Sequence, residues 1–344
     1  MIISAMSPKI DYLIYLYKYF CFSYTYFVSL ANNIFLWNYL KNIFKNLKPV
    51  DFLFIYFSHL LSLLGCISFP GTSTNIAIII INIVVALLIL RLANYTASRE
   101  TKVFKLIHNW YPVPAIFFIF KEIHYTIQAM GYSDWDPVLI SIDRFIFGAD
   151  PTVWLYQFSF PLLTEILQIA YTSYYFIMIA VAIGLYRRKE IDKFNFFAFT
   201  IVYGFVLSYL GYLTFPGIGP RFTLHNFAAL NSELPGLWLT SYLRDFINAG
   251  ESIPKNIVNP IVFAQRDIFP SGHTQMTLLT MYYSHRYKLS FRYIIDLFGV
   301  LLIIGTVYLR YHYVVDLIGG FIFAVITIWT AKKLILWWGK TKLI

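Results

Sequence analysis

The stretches FPSGHT at residues 269–274 and YLRYHYVVD at residues 308–316 decide what this chain can form. Each places a histidine, His273 or His312, at the edge of a long apolar segment. Asp316 follows His312 by four residues, and side chains at positions i and i+4 lie on the same face of a helix. A carboxylate that binds one ring nitrogen fixes the tautomer of the histidine and leaves the other nitrogen free to react. The two stretches therefore predict helices that bring two reactive histidines together.

The composition is typical of a membrane protein. Of the 344 residues, 59% are hydrophobic and 13% are charged, whereas soluble domains carry about 25% charged residues. The net charge of +10 could suggest a nucleic-acid partner, but the lysines and arginines fall in short clusters between apolar runs, as in cytoplasmic loops. We therefore expect no nucleic acid. Cys21 and Cys66 both lie in apolar surroundings and define neither a disulfide framework nor a metal site.

Eight apolar runs have about the 20 residues that a helix needs to cross a bilayer. They cover residues 50–69, 75–93, 109–130, 162–185, 194–215, 272–287, 291–309 and 313–337. The sequence thus predicts an all-α, polytopic membrane helix bundle. We expect residues 1–105 to form N-terminal membrane or interfacial helices and residues 106–344 to form a catalytic core. The pattern leaves open whether residues 11–40 span.

The basic clusters predict how the bundle is oriented. They lie at residues 41–48, 91–105, 187–193, 286–292 and 332–342. All five fall on one side if the eight runs span, and that side is expected to be cytoplasmic. Both histidine stretches then lie on the extracytoplasmic side with loops 131–161 and 216–271. We interpret the acidic loop 131–161 as an amphipathic interfacial segment and the Gly- and Pro-rich loop 216–271 as a lid or substrate-binding cap.

The residue types indicate phosphoryl transfer, which needs a nucleophile, an acid for the leaving group and positive charge around the phosphate oxygens. His312, oriented by Asp316, suits the nucleophile, and His273 suits the acid. Ser271 and Gly272 lie where a helix should begin, and backbone N–H groups at a helix start bind anions.

Three arginines on this side are candidates for binding the phosphate, because arginine binds phosphate through two N–H donors at once. A turn shaped by Gly and Pro holds Arg221. Arg310 precedes His312 by two residues, although it could equally extend its charge to the membrane edge. Arg266 is a weaker candidate, because Asp267 can neutralise it.

Two other groups of ionisable residues allow alternative interpretations. Glu122 lies within the third apolar run, where it could line a substrate cavity or pair with another buried group. A zinc site built from His273, His312 and Asp316 is an alternative, but phosphate explains the Ser-Gly before His273 better. We therefore predict no metal and no cofactor.

The motif Pro-Ser-Gly-His at residues 270–273 and the motif His-x-x-x-Asp at residues 312–316 resemble two signatures of the type 2 phosphatidic-acid phosphatase superfamily. The resemblance implies that His312 forms a phosphohistidine, that His273 protonates the leaving group and that no metal takes part. It also implies six core helices, here the last six runs, preceded by two or three further helices.

The chain departs from that family pattern in two places. Thr214 stands where the first signature has lysine, and Gly305 and Thr306 stand where the third signature has Ser-Arg. The upstream Gly-Pro-Arg turn and the surroundings of His312 look more like the inositol-phosphorylceramide-synthase branch, whose members transfer head groups between lipids.

The sequence therefore predicts a multi-pass integral membrane enzyme, a phosphatase or phosphotransferase for a phospholipid or polyprenyl phosphate, with its active site on the extracytoplasmic side. A head-group transferase and a non-catalytic lipid transporter or scaffold are the alternatives. The oligomeric state stays open.

Overall fold

The computed structural model describes residues 44–68, 73–99, 101–131, 133–255, 257 and 259–341. The open question of whether residues 11–40 span lies outside these residues. In the described part of the chain the secondary structure is helical and contains no strand, so the all-α prediction is confirmed. The α-helices are α1 Pro49–Ser68, α2 Ser73–Ser98, α3 Lys102–Trp110, α4 Pro112–Met130, α5 Asp136–Phe147, α6 Pro151–Trp154, α7 Pro161–Thr172, α8 Tyr174–Arg187, α9 Ile191–Thr214, α10 Pro220–Thr223, α11 Leu230–Glu233, α12 Thr240–Gly250, α13 Gly272–Arg286, α14 Arg292–Tyr308 and α15 Val314–Thr341.

Five stretches of the described helices are long and apolar enough to cross a membrane. They are Pro49–Cys66, Ile76–Ser98, Lys102–Gln128, Ile191–Thr214 and Val314–Lys340. A sixth is possible if α7 and α8, which bend by 49° at their junction, cross as one unit. Large apolar side chains such as Leu88 and Phe321 are exposed on these helices, as lipid-facing residues are. The chain is therefore an integral membrane protein.

Two of the eight predicted runs form helices shorter than a full crossing. Helix α13 has 15 residues and α14 has 17, and at about 1.5 Å per residue α13 is roughly 22 Å long, less than the hydrocarbon core of a bilayer. Ser271 and Thr274, at the polar start of α13, are buried. The short helix therefore begins within the protein rather than beyond the bilayer edge.

The two loops predicted to lie outside the bundle both contain short helices. Residues 131–161 contain α5 and α6, and residues 216–271 contain α10, α11 and α12. The interpretation of residues 131–161 as an amphipathic interfacial segment stays a prediction. Two of its acidic residues, Asp136 and Asp143 of α5, are buried against the rest of the protein.

Close glycine contacts bring the start of α13 against α9 and α15. A Cβ added at Gly211 of α9 would lie 2.2 Å from the Pro270 ring, and one at Gly320 of α15 would lie 2.6 Å from the Ser271 carbonyl oxygen. Both distances are shorter than a van der Waals contact, so only glycine lets α9 and α15 approach this closely. The contacts place both histidine stretches at one end of the bundle.

Candidate active site

His273 and His312 meet at that end of the bundle. Nε2 of His312 lies 3.4 Å from Nδ1 of His273, and the two ring centroids are 5.5 Å apart at an angle of 62°. His312 is only 3% exposed. The two histidine stretches thus form a single site, although their histidines are 39 residues apart in sequence.

Asp316 reaches His312 from the first turn of α15. Its Oδ2 atom lies 3.3 Å from Nδ1 of His312 and also accepts a hydrogen bond of 2.9 Å from the Tyr313 amide. The expectation that both residues share a helix face is wrong, because α15 begins at Val314 and His312 precedes it. A turn holds His312 instead: the amides of Tyr311 and His312 both donate to the Thr306 carbonyl at 2.9 Å.

Ser271 is the N-cap residue of α13. Its hydroxyl accepts a hydrogen bond of 3.2 Å from the Thr274 amide, and its own amide donates to the Asp316 carbonyl at 2.9 Å. Ser271 therefore joins the start of α13 to the start of α15. The positive end of α13 points at the histidines, as an anion site requires.

Two tyrosines form an aromatic platform for His273 that sequence analysis missed. Tyr171 stacks on His273, with centroids 4.7 Å apart, and on Tyr311, with centroids 4.1 Å apart. Tyr174 packs on the other side, with centroids 4.4 Å apart, and its hydroxyl donates to the Gly272 carbonyl at 3.2 Å. These tyrosines fix the plane of the His273 ring. In sequence they are two among 28 tyrosines, so no local signal distinguishes them.

Arg221 lies beside the histidines and is buried. Its guanidinium lies 4.7 Å from the Phe222 ring and 4.8 Å from the Tyr311 ring, and one nitrogen forms an ion pair with Glu251. Burial opposes the charge, but Glu251 raises the pKa of Arg221. The side chain has five N–H donors, so the pair with Glu251 leaves donors for a phosphate.

Arg310 and Arg266 have partners of their own. Arg310 is buried, pairs with Glu233 and lies 5.3 Å from the Tyr156 ring, so it does not extend to the membrane edge. Arg266 pairs with Asp134 at 2.8 Å. The expected neutralisation of Arg266 therefore comes from Asp134 rather than from its sequence neighbour Asp267.

The surroundings of His312 favour its neutral form. Burial first, and then the neighbouring His273 and the positive charge of Arg221, lower the pKa of His312 well below its ordinary value. Burial and then Arg221 also lower the pKa of His273, to about 3. A neutral imidazole has a free lone pair on one nitrogen, which a nucleophile needs. Burial and then Glu251 raise the pKa of Asp267, which favours its uncharged form and lessens its repulsion of a phosphate.

Asp136 and Asp143 of α5 organise the site from outside it, and sequence analysis missed this role. Asp143 accepts hydrogen bonds of 2.8 Å from the amides of both Val314 and Val315, the first two residues of α15. Asp136 accepts hydrogen bonds from the backbone on the chain before Arg221, at Ile218 and Gly219, and from the Tyr313 hydroxyl. One helix thus holds both the arginine turn and the His312 turn.

The remaining ionisable candidates lie away from the histidines. Glu122 accepts a hydrogen bond of 2.6 Å from Asn82 of α2. This contact agrees with the hypothesis that Glu122 pairs with another buried group. Asp296 of α14, an acidic residue within the seventh apolar run, lies 2.5 Å from His285 and forms a structural pair with it. Within the described ranges, no group of three or more His, Cys, Asp or Glu side chains is arranged to hold a metal ion.

Comparisons with known proteins show which family the sequence resembles. The sequence model of the PAP2 superfamily matches residues 139–330, which is more than half of the chain and includes both histidine motifs. A PA-phosphatase related-family protein from Dictyostelium discoideum is 25% identical over 220 residues, an alignment that covers 55% of this chain and 38% of that protein. The chain thus matches less than two thirds of the relative's length. No solved structure matches. The family resemblance inferred from the two histidine motifs is confirmed, and the chain belongs to the PAP2 superfamily.

Proposed function

We propose that this protein is a multi-pass membrane phosphatase or phosphotransferase that cleaves a phosphate ester of a phospholipid or polyprenyl phosphate through a phosphohistidine at His312. The observation that carries the proposal is the chain of contacts from Asp316 through His312 to His273, which is buried beside Arg221. Membership of the PAP2 superfamily supports a phosphatase-type enzyme.

In the first half-reaction, Nε2 of His312 attacks phosphorus, a P–N bond forms and the P–O bond to the leaving group breaks. Burial and Arg221 lower the pKa of His273 to about 3 in the substrate-free site, so His273 takes up a proton as the negatively charged phosphate binds. It then gives this proton to the departing oxygen, which carries away the electron pair of the broken bond. Asp316 stabilises the positive charge that His312 gains. The phosphoryl group enters where the two rings now meet at 3.4 Å, so His273 must move aside, as groups in a substrate-free site often do.

In the second half-reaction, the neutral His273 takes a proton from an acceptor hydroxyl, whose oxygen attacks phosphorus and breaks the P–N bond. Water as acceptor gives a phosphatase, and a lipid or sugar hydroxyl gives a transferase. If the substrate is a phosphodiester, the covalent intermediate carries the head group as well. Both halves use the same pair of histidines in opposite directions.

We assign the equatorial phosphate oxygens to Arg221 and to the backbone amides of Gly272 and His273 at the start of α13. Positive groups aimed at these oxygens stabilise the charge in the transition state. Ser271 supports the amides by capping the helix. Arg310, which is tied to Glu233, positions the His312 turn through its backbone, since its carbonyl accepts from the Arg221 amide at 3.0 Å.

The clustering of lysine and arginine between the apolar runs supports an extracytoplasmic active site. The side can be tested by labelling: a cysteine placed at exposed Trp238, on the active-site side of the bundle, should react with an impermeant maleimide applied to intact cells. Reaction only after the cells are opened would place the site on the cytoplasmic side.

Purified protein in detergent, incubated with a panel of lipid phosphates and phosphodiesters, tests the chemistry. We expect a product from wild type that His312→Ala abolishes and His285→Ala, a matched histidine at the far end of α13, retains. Free phosphate identifies a phosphatase, and a new lipid without free phosphate identifies a transferase. A product that His312→Ala still forms would contradict the phosphohistidine at His312. If no lipid gives a product, the result supports the alternative that the protein is a non-catalytic transporter or scaffold.

The head-group transferase of the inositol-phosphorylceramide-synthase type is the second candidate. The specific observation that favours it is the pair of carboxyl groups, Glu251 and Asp267, whose charges act on each other beside Arg221. Carboxyl groups accept hydrogen bonds from hydroxyls, so they suit a polyol head group better than a bare phosphate. A phosphodiester with a polyol head group belongs in the substrate panel for this reason.

A further inference from the structure

A polar cavity lies at the other end of the bundle from the histidines. Its volume is about 270 Å³, and it lies where α1 begins, α2 ends and α9 begins. Its polar lining consists mainly of Lys48, Thr96, Lys105, His108, Asn109 and Asn195. Three of the basic clusters in the sequence meet here, and the active site accounts for none of them.

The cavity is separate from the active site. Asn195, in the second turn of α9, lines the cavity, whereas Tyr212, near the other end of the same helix, lies over Gly272 in the active site. At about 1.5 Å per residue the two ends are roughly 25 Å apart. This distance is close to the thickness of the hydrocarbon core, so the cavity and the histidines belong to opposite faces of the membrane.

A buried network holds the cavity wall in place. Asp51, which is fully buried, accepts hydrogen bonds from the Lys48 amide at 2.7 Å and the Tyr111 hydroxyl at 2.7 Å, and lies 2.9 Å from Nε2 of His108. The other nitrogen of His108 lies 2.9 Å from the Thr96 hydroxyl. The network ties the start of α1 to the ends of α2 and α3, so the wall exists before any ligand arrives.

Most of the polar side chains that line the cavity can donate hydrogen bonds. The ammonium of Lys48 donates to the side-chain oxygens of Asn109 at 2.5 Å and Asn195 at 3.2 Å. An ammonium has three donors, so one remains for a ligand within the described part of the chain. Both amides present their oxygens to Lys48, which leaves their NH₂ groups as donors. Lys105 adds a second positive charge, and the residues that line the cavity include no carboxylate.

We propose that this cavity binds a phosphate-bearing anion, held by Lys48 and Lys105 and by the amides of Asn109 and Asn195. Two ammonium groups and neighbouring amide donors match the several acceptor oxygens of a phosphate. The phosphate could belong to the head group of an anionic phospholipid or to a soluble phosphate. The proposal does not depend on the proposed reaction, because the cavity shares no residue with the histidine site.

A local fluorescent label tests the proposal without interference from the active site. The label is attached to Ala97→Cys, at the exposed rim of the cavity, in full-length protein in which Cys21 and Cys66, the two native cysteines, are changed to serine. Inorganic phosphate is titrated against protein in detergent, and phosphatidic acid is titrated in phosphatidylcholine nanodiscs. We expect a saturable change in fluorescence with at least one probe. A response to both indicates a soluble phosphate site, and a response to phosphatidic acid alone indicates a lipid head group.

Charge variants show whether the fluorescence change comes from binding in the cavity. Lys105→Gln changes an exposed residue and should fold, and we expect it to weaken binding about tenfold; Lys48→Gln should weaken it at least as much. The matched control is Lys332→Gln with Lys333→Gln, two exposed lysines on α15 in another of the basic clusters. Binding that the control weakens equally, that Lys105→Gln leaves unchanged, or that appears with neither probe would overturn the proposal.

Discussion

Asp143 offers the sharpest test of how the site is built. Its two carboxylate oxygens accept hydrogen bonds of 2.8 Å from the amides of Val314 and Val315, so it holds the start of α15 just after His312. Asp143→Asn keeps the size of the side chain but removes its charge and turns one acceptor into a donor. One of the two amides then faces an NH₂ group and is left without a partner.

The free energy lost in Asp143→Asn can be worked out from these two contacts. A hydrogen bond to a charged group contributes about 1.5–3 kcal/mol, and a negative charge near a helix start adds about 0.3–1 kcal/mol. Asp143→Asn should therefore weaken the attachment of α15 by about 2–3 kcal/mol. If about half of this loss appears as misplacement of His312 and Asp316, kcat falls roughly 5- to 15-fold.

The assay is steady-state turnover in detergent micelles with the substrate identified by the panel, together with a thermal unfolding curve for each variant. We expect kcat to fall while KM stays near wild type, because Asp143 contacts the backbone beside the nucleophile and not the lipid. Asp150→Asn is the matched control, since Asp150 pairs with the exposed Arg144 and exposed pairs contribute little.

A lower unfolding temperature with kcat unchanged would show that Asp143 stabilises the fold without positioning His312, which refutes the reasoning. An equal fall in kcat for Asp150→Asn would also refute it, because the effect would then follow from loss of any carboxylate in this region.

Three further predictions concern the same site. Because the pKa of His312 is lowered, protonation should inactivate the nucleophile only well below pH 6.5; an acidic limb of the kcat/KM profile at or above pH 6.5 would argue against His312 as the neutral nucleophile. Gly320→Ala should lower kcat and the unfolding temperature, because the new Cβ would lie 2.6 Å from a carbonyl oxygen at the start of α13, whereas Gly339→Ala, with no atom within 4 Å, should change neither; equal effects would contradict the packing argument. Arg221→Lys should lower kcat/KM about 100-fold in the same assay, since lysine cannot bind phosphate through two parallel bonds, and Arg266→Lys should have little effect; similar losses in both would remove Arg221 from the phosphate site.

The sequence predicted the elements of this site because each has a local cause. Apolar runs of sufficient length predict membrane helices, and Ser before Gly-His predicts a helix start, which the structure shows with Ser271 as N-cap. His312 and Asp316 are four residues apart, so their contact requires only a turn and the first residues of a helix.

The predicted run 162–185 shows where the local pattern was insufficient. It reads as one apolar segment, yet the structure breaks it near Ser173 into α7 and α8 with a bend of 49°. The bend places Tyr171 and Tyr174 on either side of it against His273. Apolar periodicity reports the environment of a segment but not its packing partners, so it predicted neither the bend nor the platform.

By itself, the sequence determined the helical class, the membrane setting and the two histidine motifs, because these depend on composition and on residues a few positions apart. Only the tertiary structure decided which arginine lies beside the histidines, since Arg221 and Arg310 carry the same charge and differ in their distant partners, Glu251 and Glu233. It also revealed the role of Asp143, whose partner amides lie 171 and 172 residues away. Contacts over such separations arise from the packing of the whole bundle, and no local sequence pattern encodes them.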